Sequence, residues 1–356
     1  MFQRVDRFSR RAAPTAELRE KGIAVNAVRV GSIGLGSWGR RLADAAPQAG
    51  LIVETCFSRT ETARAEFALR YRCRASSSLE ELLEDERIEA VLVATPHSTH
   101  SELIEAASSA GKHVFVEKPL DVDYARAARA VAGAKAAGII LQVGHNRRRQ
   151  PANRRIKQMI EDGMLGAIHL VEAQKSAPRG LRPGRAGWRV DPSESPLGGM
   201  TGHGVHMLDT LQYLLGPARR VSALSKRTMG LAPRDDVTTL ILEYEAGPLA
   251  YVGTSLVVPD ACWIAVRGSS GAAFNEADGD RLAFQALGEE APATQPVETI
   301  DTIVDELAEF AAVVTAGGKP ETGGAEGLEV VAILVAAVES VSSGRVVSVD
   351  DVRRLG

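Results

Sequence analysis

The stretch 28–39, VRVGSIGLGSWG, constrains the fold more than any other part of the chain. An apolar run leads into Gly34, Gly36 and Gly39 in the order G-x-G-x-x-G, and a helical pattern follows. Without Cβ atoms, the first two glycines let a turn tighten and let a pyrophosphate approach the backbone. The third lets the helix pack close to the strand. That helix presents free N–H groups and the positive end of its dipole. The pattern is the opening of a dinucleotide-binding βαβ unit, with Leu35, Ser37 and Trp38 in the same turn.

The alternation continues through the first half. Apolar runs at 51–58, 90–96, 114–119 and 139–144 are separated by helical patterns at 60–71, 78–85, 101–113 and 123–138. This predicts an α/β unit built on a doubly wound parallel sheet. A helix near 151–162 marks a change. Alternating segments at 168–177, 219–228, 237–245, 249–258 and 262–270 then predict an antiparallel sheet with one face against helices. Helices near 302–316 and 324–343 close the chain. The boundary falls near 145–150, giving an extension at 1–27, a nucleotide-binding domain at 28–147 and a second domain at 148–356.

Composition limits the class. The chain has 356 residues, enough for two domains, and is 45% apolar and 24% charged, as expected of a soluble globular protein. A net charge of −3 offers no excess for a polyanion, and Arg4, Arg7, Arg10 and Arg11 read as a solvated tail rather than a nucleic-acid arm. The stretch SRRAAP at 9–14 resembles a twin-arginine signal, but no apolar segment follows it, and no run of 18 apolar residues suggests a membrane span. Cys56, Cys73 and Cys262 are odd in number and scattered, which argues against a disulfide framework and for a reducing, cytoplasmic setting.

The end of the second strand bears on the cofactor. An acidic residue there would bind a ribose 2′-hydroxyl, but Ser58, Arg59 and Thr60 occupy the place. A guanidinium and hydroxyls suit a 2′-phosphate, so NADP is expected over NAD; a solvated Arg59 is the alternative.

Three further motifs sit where the strands end. ATPHSTH (94–100), EKPL (117–120) and GHNRR (144–148) follow the third long strand, the fourth and the fifth. With GLGSWG, GWR at 187–189, the Gly-rich run before 200 and the closing ESVSSGRVVSV, they make the chain resemble the glucose-fructose oxidoreductase / inositol dehydrogenase / rhizopine-catabolism (Gfo/Idh/MocA) family from about 28 to 349. The resemblance implies a Rossmann domain followed by a C-terminal α/β domain with a large open, mostly antiparallel sheet that supports a homodimer or homotetramer. It implies hydride transfer between NADP or NAD and a secondary alcohol or ketone on a sugar, cyclitol or cyclic diol. It places Lys118 beside the reacting carbon, where an ammonium polarises a carbonyl or helps deprotonate an alcohol; a surface salt bridge with Glu117 is the alternative. Thr95, Pro96, His97, His100, Glu117 and Asn146 would line the cofactor site, and Trp188 and Arg189 would reach it. Pro119 is expected to follow a cis bond.

The same resemblance aligns His206 with the family's acid–base histidine, and aligns Gly202 with the family's aspartate. Position 202 is the i−4 neighbour of His206 on a helix, and it offers no carboxylate. Asp209 at i+3 and His203 at i−3 are the other near neighbours. Three readings stay open: His206 works without its aspartate, the role passes to His203 or to Lys118 alone, or the chain is a non-catalytic nucleotide sensor. HSTH and HGVH are both H-x-x-H, but no acidic cluster or Cys pair accompanies them, so no metal is expected. Arg179, Arg182 and Arg185 either meet a carboxylated or phosphorylated substrate or face solvent or a partner subunit.

Overall fold

The computed structural model describes residues 27–182 and 187–356. The tail arginines, SRRAAP and Arg185 lie outside the described residues.

The first sheet has six strands: β1 Val28–Ile33, β2 Leu51–Phe57, β3 Arg74–Ala75, β4 Ala90–Val93, β5 His113–Glu117 and β6 Leu141–Gly144. They pair in parallel in the order β3-β2-β1-β4-β5-β6. All four residues of β4 are buried, because helices cover both faces. The strand order reverses between β1 and β4, which opens a crevice above their C-terminal ends. This is the doubly wound α/β unit that the period of the sequence predicts.

The second sheet has nine strands: β7 Ile168–Ser176, β8 Ala218–Lys226, β9 Val237–Tyr244, β10 Leu249–Ser255, β11 Ala261–Gly268, β12 Gly271–Glu276, β13 Arg281–Ala286, β14 Ala293–Gln295 and β15 Val347–Ser348. The five alternating segments became β7 to β11, whereas β12 to β15 were not anticipated. β12 begins with small residues, and β14 and β15 have only three and two residues, too few to display a period. The pairing is antiparallel apart from β7 against β10, which is parallel. β7 comes first in the chain yet lies mid-sheet, with later strands on both flanks.

Val171 and Ala173 of β7 point inward to a core shared with the helices Val205–Leu215 and Gly324–Ser343. That core also contains Val91, Val116 and Val143 of the first sheet, so the two layers are continuous. The helix Thr302–Ala316 crosses back to the first sheet: Ile303, Leu307 and Phe310 pack with Val30, Leu42 and Phe115. The rings of Phe115 and Phe310 meet edge to face, with centroids 5.8 Å apart. Among the described residues, no helix is long and apolar enough to cross a membrane.

Candidate active site

The ends of β4, β5 and β6 and the turn after β1 face a cavity of about 590 Å³; β7, β11 and the segment 198–206 supply the opposite wall. Ser37, Trp38, Thr95, His97, Glu117, Lys118, Asn146, Trp188, Arg189, His203 and His206 all line it, so residues scattered over 170 positions of sequence converge.

The glycine turn forms one end. Gly34 has φ +90, and a Cβ there would lie 2.6 Å from the Ala94 carbonyl group, so a side chain would force the strands apart. A Cβ on Gly39 would strike the Gly34 carbonyl oxygen at 2.0 Å. Gly36 differs: its Cβ would meet nothing within 4 Å. The helix Ser37–Ala45 starts there with no side-chain cap and no acid in its first turn. Bare N–H groups beside open space are what a pyrophosphate needs, so these residues fit the dinucleotide. Leu35 packs with Ala43, Cys56 and Phe67, which leaves only its backbone for a ligand.

Ser58, Arg59 and Thr60 follow β2 beside this turn, where the Gly34 N–H donates to the Phe57 carbonyl at 3.2 Å. They do not line the cavity itself; Arg59 and Thr60 are exposed, and no carboxylate stands at 58–60.

Lys118 lies just past the end of β5, joined to Pro119 by a cis bond. Its side chain is buried, so it is not half of a surface salt bridge. Its Nζ donates to the Gly202 carbonyl at 2.9 Å and lies 5.7 Å from the Trp38 ring centre. Burial pulls the Lys118 ammonium down to about 8 and pushes the neighbouring Glu117 carboxyl up to about 7. Both groups therefore exchange protons near neutral pH.

Opposite Lys118, Met200–Gly204 forms a π-helical turn that runs into the helix Val205–Leu215. Leu208, Leu211 and Leu215 are buried on the core stripe, while His206 lines the cavity. Burial, with Lys118 and Arg147 adding to it, holds His206 well below the usual imidazole range. Burial likewise lowers His203 to about 3, with Lys118 and Arg179 contributing. Both rings are neutral, and the Nδ1 of each is buried without a hydrogen-bond partner. Gly202, just before them in the chain, has open space where a Cβ would stand.

Two expected site residues are engaged elsewhere. Asp209 neighbours His206 in sequence, but its carboxylate accepts a fork from Arg148, at 3.0 Å from Nε and 2.5 Å from the second nitrogen. It is fully buried and outside the cavity lining. His100 is also buried behind the wall, with Nδ1 against the Pro119 carbonyl at 2.9 Å and Nε2 against that of Thr95 at 3.2 Å. It braces two strand ends rather than facing the cavity. His97 does face it, donating from Nδ1 to the Glu194 carbonyl at 2.6 Å and meeting Trp188 edge to face. Pro96 lies between these residues without lining the cavity, Arg179 lines it, and Arg182 is exposed away from it. Asn146 donates to the Thr302 hydroxyl at 2.8 Å, which ties β6 to the returning helix.

Arg147, Lys175, Cys262 and Asp278 were missed. Lys175 had a readable signal, an ammonium at an inward-facing position two residues after Ala173. It donates to Asp278 at 3.2 Å and to the Cys262 sulfur at 3.3 Å, and Arg147 also pairs with Asp278. Asp278 sits at φ +61 in a short turn after β12, which no period in the sequence marks.

Residues 28–145 match the profile described as an oxidoreductase family with an NAD-binding Rossmann fold, and residues 153–274 match the GFO/IDH/MocA C-terminal domain. The chain belongs to the Gfo/Idh/MocA family. It is therefore an NAD(P)-dependent dehydrogenase or reductase of CH–OH groups. Among solved structures, this Gfo/Idh/MocA protein is similar to a candidate NADPH-dependent oxidoreductase of Desulfitobacterium hafniense, with 33% identity, a TM-score of 0.87, and 94% of this chain and 100% of that one covered. It is 27% identical to the 1,5-anhydro-D-fructose reductase of Ensifer adhaerens over 78% of this chain and 84% of that one. It is 29% identical to the myo-inositol 2-dehydrogenase of Thermotoga maritima over 76% and 83%. Levoglucosan dehydrogenase, solved with NADH and levoglucosan, shares the fold at a TM-score of 0.83 and 23% identity, covering 90% of this chain and 99% of that one.

The turn geometry gives a direct test. Gly36→Val should fold with an unchanged melting temperature, since its side chain enters open space. It should weaken NADPH binding at least about tenfold, read by nicotinamide fluorescence, because that space is the one a phosphate would occupy. Binding as tight as in the unaltered protein would remove this turn from the nucleotide site.

Proposed function

We propose that the protein interconverts a secondary alcohol and a ketone on a sugar-like, cyclitol or cyclic diol substrate, with NADP preferred over NAD and with Lys118 and His206 handling the proton. One observation carries the reading: the buried Lys118 ammonium stands in the same cavity as His206, at the ends of the strands that carry the open glycine turn. When bound, the dinucleotide supplies the two-electron chemistry. Lys118 polarises the substrate oxygen, and its lowered affinity for a proton lets it exchange one with the alcohol. His206 is neutral with an unpartnered Nδ1, so it is a second acceptor. With Asp209 committed to Arg148 and no carboxylate at 202, His206 works without an acidic partner from the chain. A non-catalytic sensor gains no support from the comparisons, and a buried ammonium would serve it no purpose.

The outer face of the second sheet is proposed as the interface of a homodimer or homotetramer. Leu249 pairs with Leu170, and Tyr251 with Ile241, so these residues share a face with Leu224. Leu224 is 70% exposed and Ile241 58%, a patch that water would favour covering.

Four measurements check these proposals. Lys118→Ala should lower kcat by about two orders of magnitude or more while NADPH still binds. In the unaltered enzyme, alcohol oxidation should rise as pH passes through about 8, because the amine accepts a proton only once it has lost its own. Turnover of every accepted substrate at the normal rate by Lys118→Ala would end the reading.

Arg59→Ala should raise KM for NADPH about tenfold and leave KM for NADH within about twofold, the loss of one charge-assisted phosphate contact. Equal effects on both would mean that Arg59 does not meet a 2′-phosphate. Ile241→Glu combined with Leu224→Glu should reduce the assembly to monomers by light scattering; an unchanged mass would place the interface elsewhere.

A further inference from the structure

We infer that the substrate of this site carries a carboxylate, seated in the open space over Gly202 and facing Lys175 and Arg179. The inference rests on the redox reading for its reaction, but it concerns what the cavity holds.

The first observation is a vacancy with a shape. A Cβ at Gly202 would meet no atom within 4 Å, although the residue lies in a densely packed turn. Its neighbours contrast with it. A Cβ on Gly199 would come within 3.2 Å of Leu256, and one on Gly204 would strike the Met200 sulfur at 2.1 Å. The room at 202 is therefore on the cavity side, where a short acidic side chain would otherwise project.

The second observation is the charge around it. Arg147, Lys175 and Arg179 line the cavity with Asp260 and Asp278. Asp278 is committed to Arg147, Lys175 and the Cys262 thiol. Arg179 has no side-chain hydrogen bond or ion pair among the described residues, and Lys118 uses the backbone of Gly202 in place of an acid. A neutral polyol would leave this positive excess uncompensated beside Lys175, which is half-buried and less screened than the exposed Arg179. A carboxylate would offset it and accept hydrogen bonds from an ammonium and a planar guanidinium.

The third observation links the charge to the chemistry. His203 feels Lys118, Arg179, Lys175 and Arg234, while His206 feels Lys118, Arg147 and Lys175. Burial, with these cations adding to it, keeps both imidazoles neutral. A carboxylate over Gly202 adds the opposite charge and favours proton uptake by the rings. The substrate then brings the acidic group that the chain does not.

The test is calorimetric titration of the protein–NADPH complex, so that cofactor phosphates have already taken their cations. The probes are D-glucuronate and D-galacturonate, their methyl esters, the parent hexoses and glucose 6-phosphate. At least one acid should bind about tenfold tighter than its ester and its hexose, the advantage shrinking with added salt. Lys175→Gln and Arg179→Gln should each erode it. Gly202→Asp places a fixed carboxylate in the same space and should reverse the order, with the hexose binding better than the acid. Acids that bind no better than their esters, or not at all, would overturn the inference, as would glucose 6-phosphate binding tighter than either acid. An unreversed order in a folded Gly202→Asp protein would also overturn it. Nicotinamide absorbance with the same probes and NADP+ in place of NADPH, so that an alcohol has an acceptor for its hydride, tests the redox reading separately. Acid binding without turnover would sink that reading and leave the carboxylate site standing, whereas turnover with no preference for acids would do the opposite.

Discussion

The ammonium of Lys118 reaches from the end of β5 to the carbonyl of Gly202, and the reactive face exists only where these two segments meet. A buried cation needs an acceptor, and here the backbone provides it. For that carbonyl to point into the cavity, the chain must widen into the π turn Met200–Gly204, a distortion characteristic of functional positions. The turn in turn needs the glycines around it. Gly198 has φ +54, and a Cβ on it would strike the Asp235 carbonyl at 1.9 Å. The small-residue run before the His206 helix is thus the packing condition for placing one oxygen atom beside one nitrogen.

The cavity is a place where protons are loosely held. Glu117 and Lys118 are adjacent and buried, and burial moves both toward their neutral forms. His97, His203 and His206 are neutral for the same reason. Fixed charge comes from Lys175 and from arginines of both units, Arg41 and Arg147 of the first and Arg179 of the second. Each unit thus contributes groups able to move a proton, Glu117 and Lys118 from the first and His203 and His206 from the second, within a field of fixed cations.

Much of this was readable from local signals. Five of the six strands of the first sheet begin within two residues of an apolar run, because a parallel sheet buried on both faces leaves continuous hydrophobic segments, whereas the exposed two-residue β3 has none to show. The family resemblance then pointed to Thr95, Lys118 and Asn146, which lie just past the ends of β4, β5 and β6. The second sheet was legible through β11, but the parallel pairing of β7 with β10 depends on contacts between distant segments that no period reports. Asp209 is the instructive failure. Helix spacing put it beside His206 correctly, yet Arg148 from another segment claims its carboxylate. The comparable reading of His100 failed for the same reason, since its partners are carbonyls that only the fold brings near. Gly202 was the reverse: a departure from a family pattern, visible in sequence, marked the open space in the cavity.

The return of the helix Thr302–Ala316 has a consequence for biosynthesis. Its Ile303, Leu307 and Phe310 complete the core beneath β1 and β5. A ribosome makes the glycine turn early, but the apolar surface behind it has no cover until the last part of the chain has emerged. The nascent nucleotide unit must therefore wait, with Val30, Leu42 and Phe115 lacking their partners, while the whole second sheet is synthesised. Release from the ribosome, rather than completion of the first unit, would set when a competent enzyme appears. Premature termination before Thr302 would leave a sticky intermediate for chaperones or proteases, not a smaller nucleotide-binding protein.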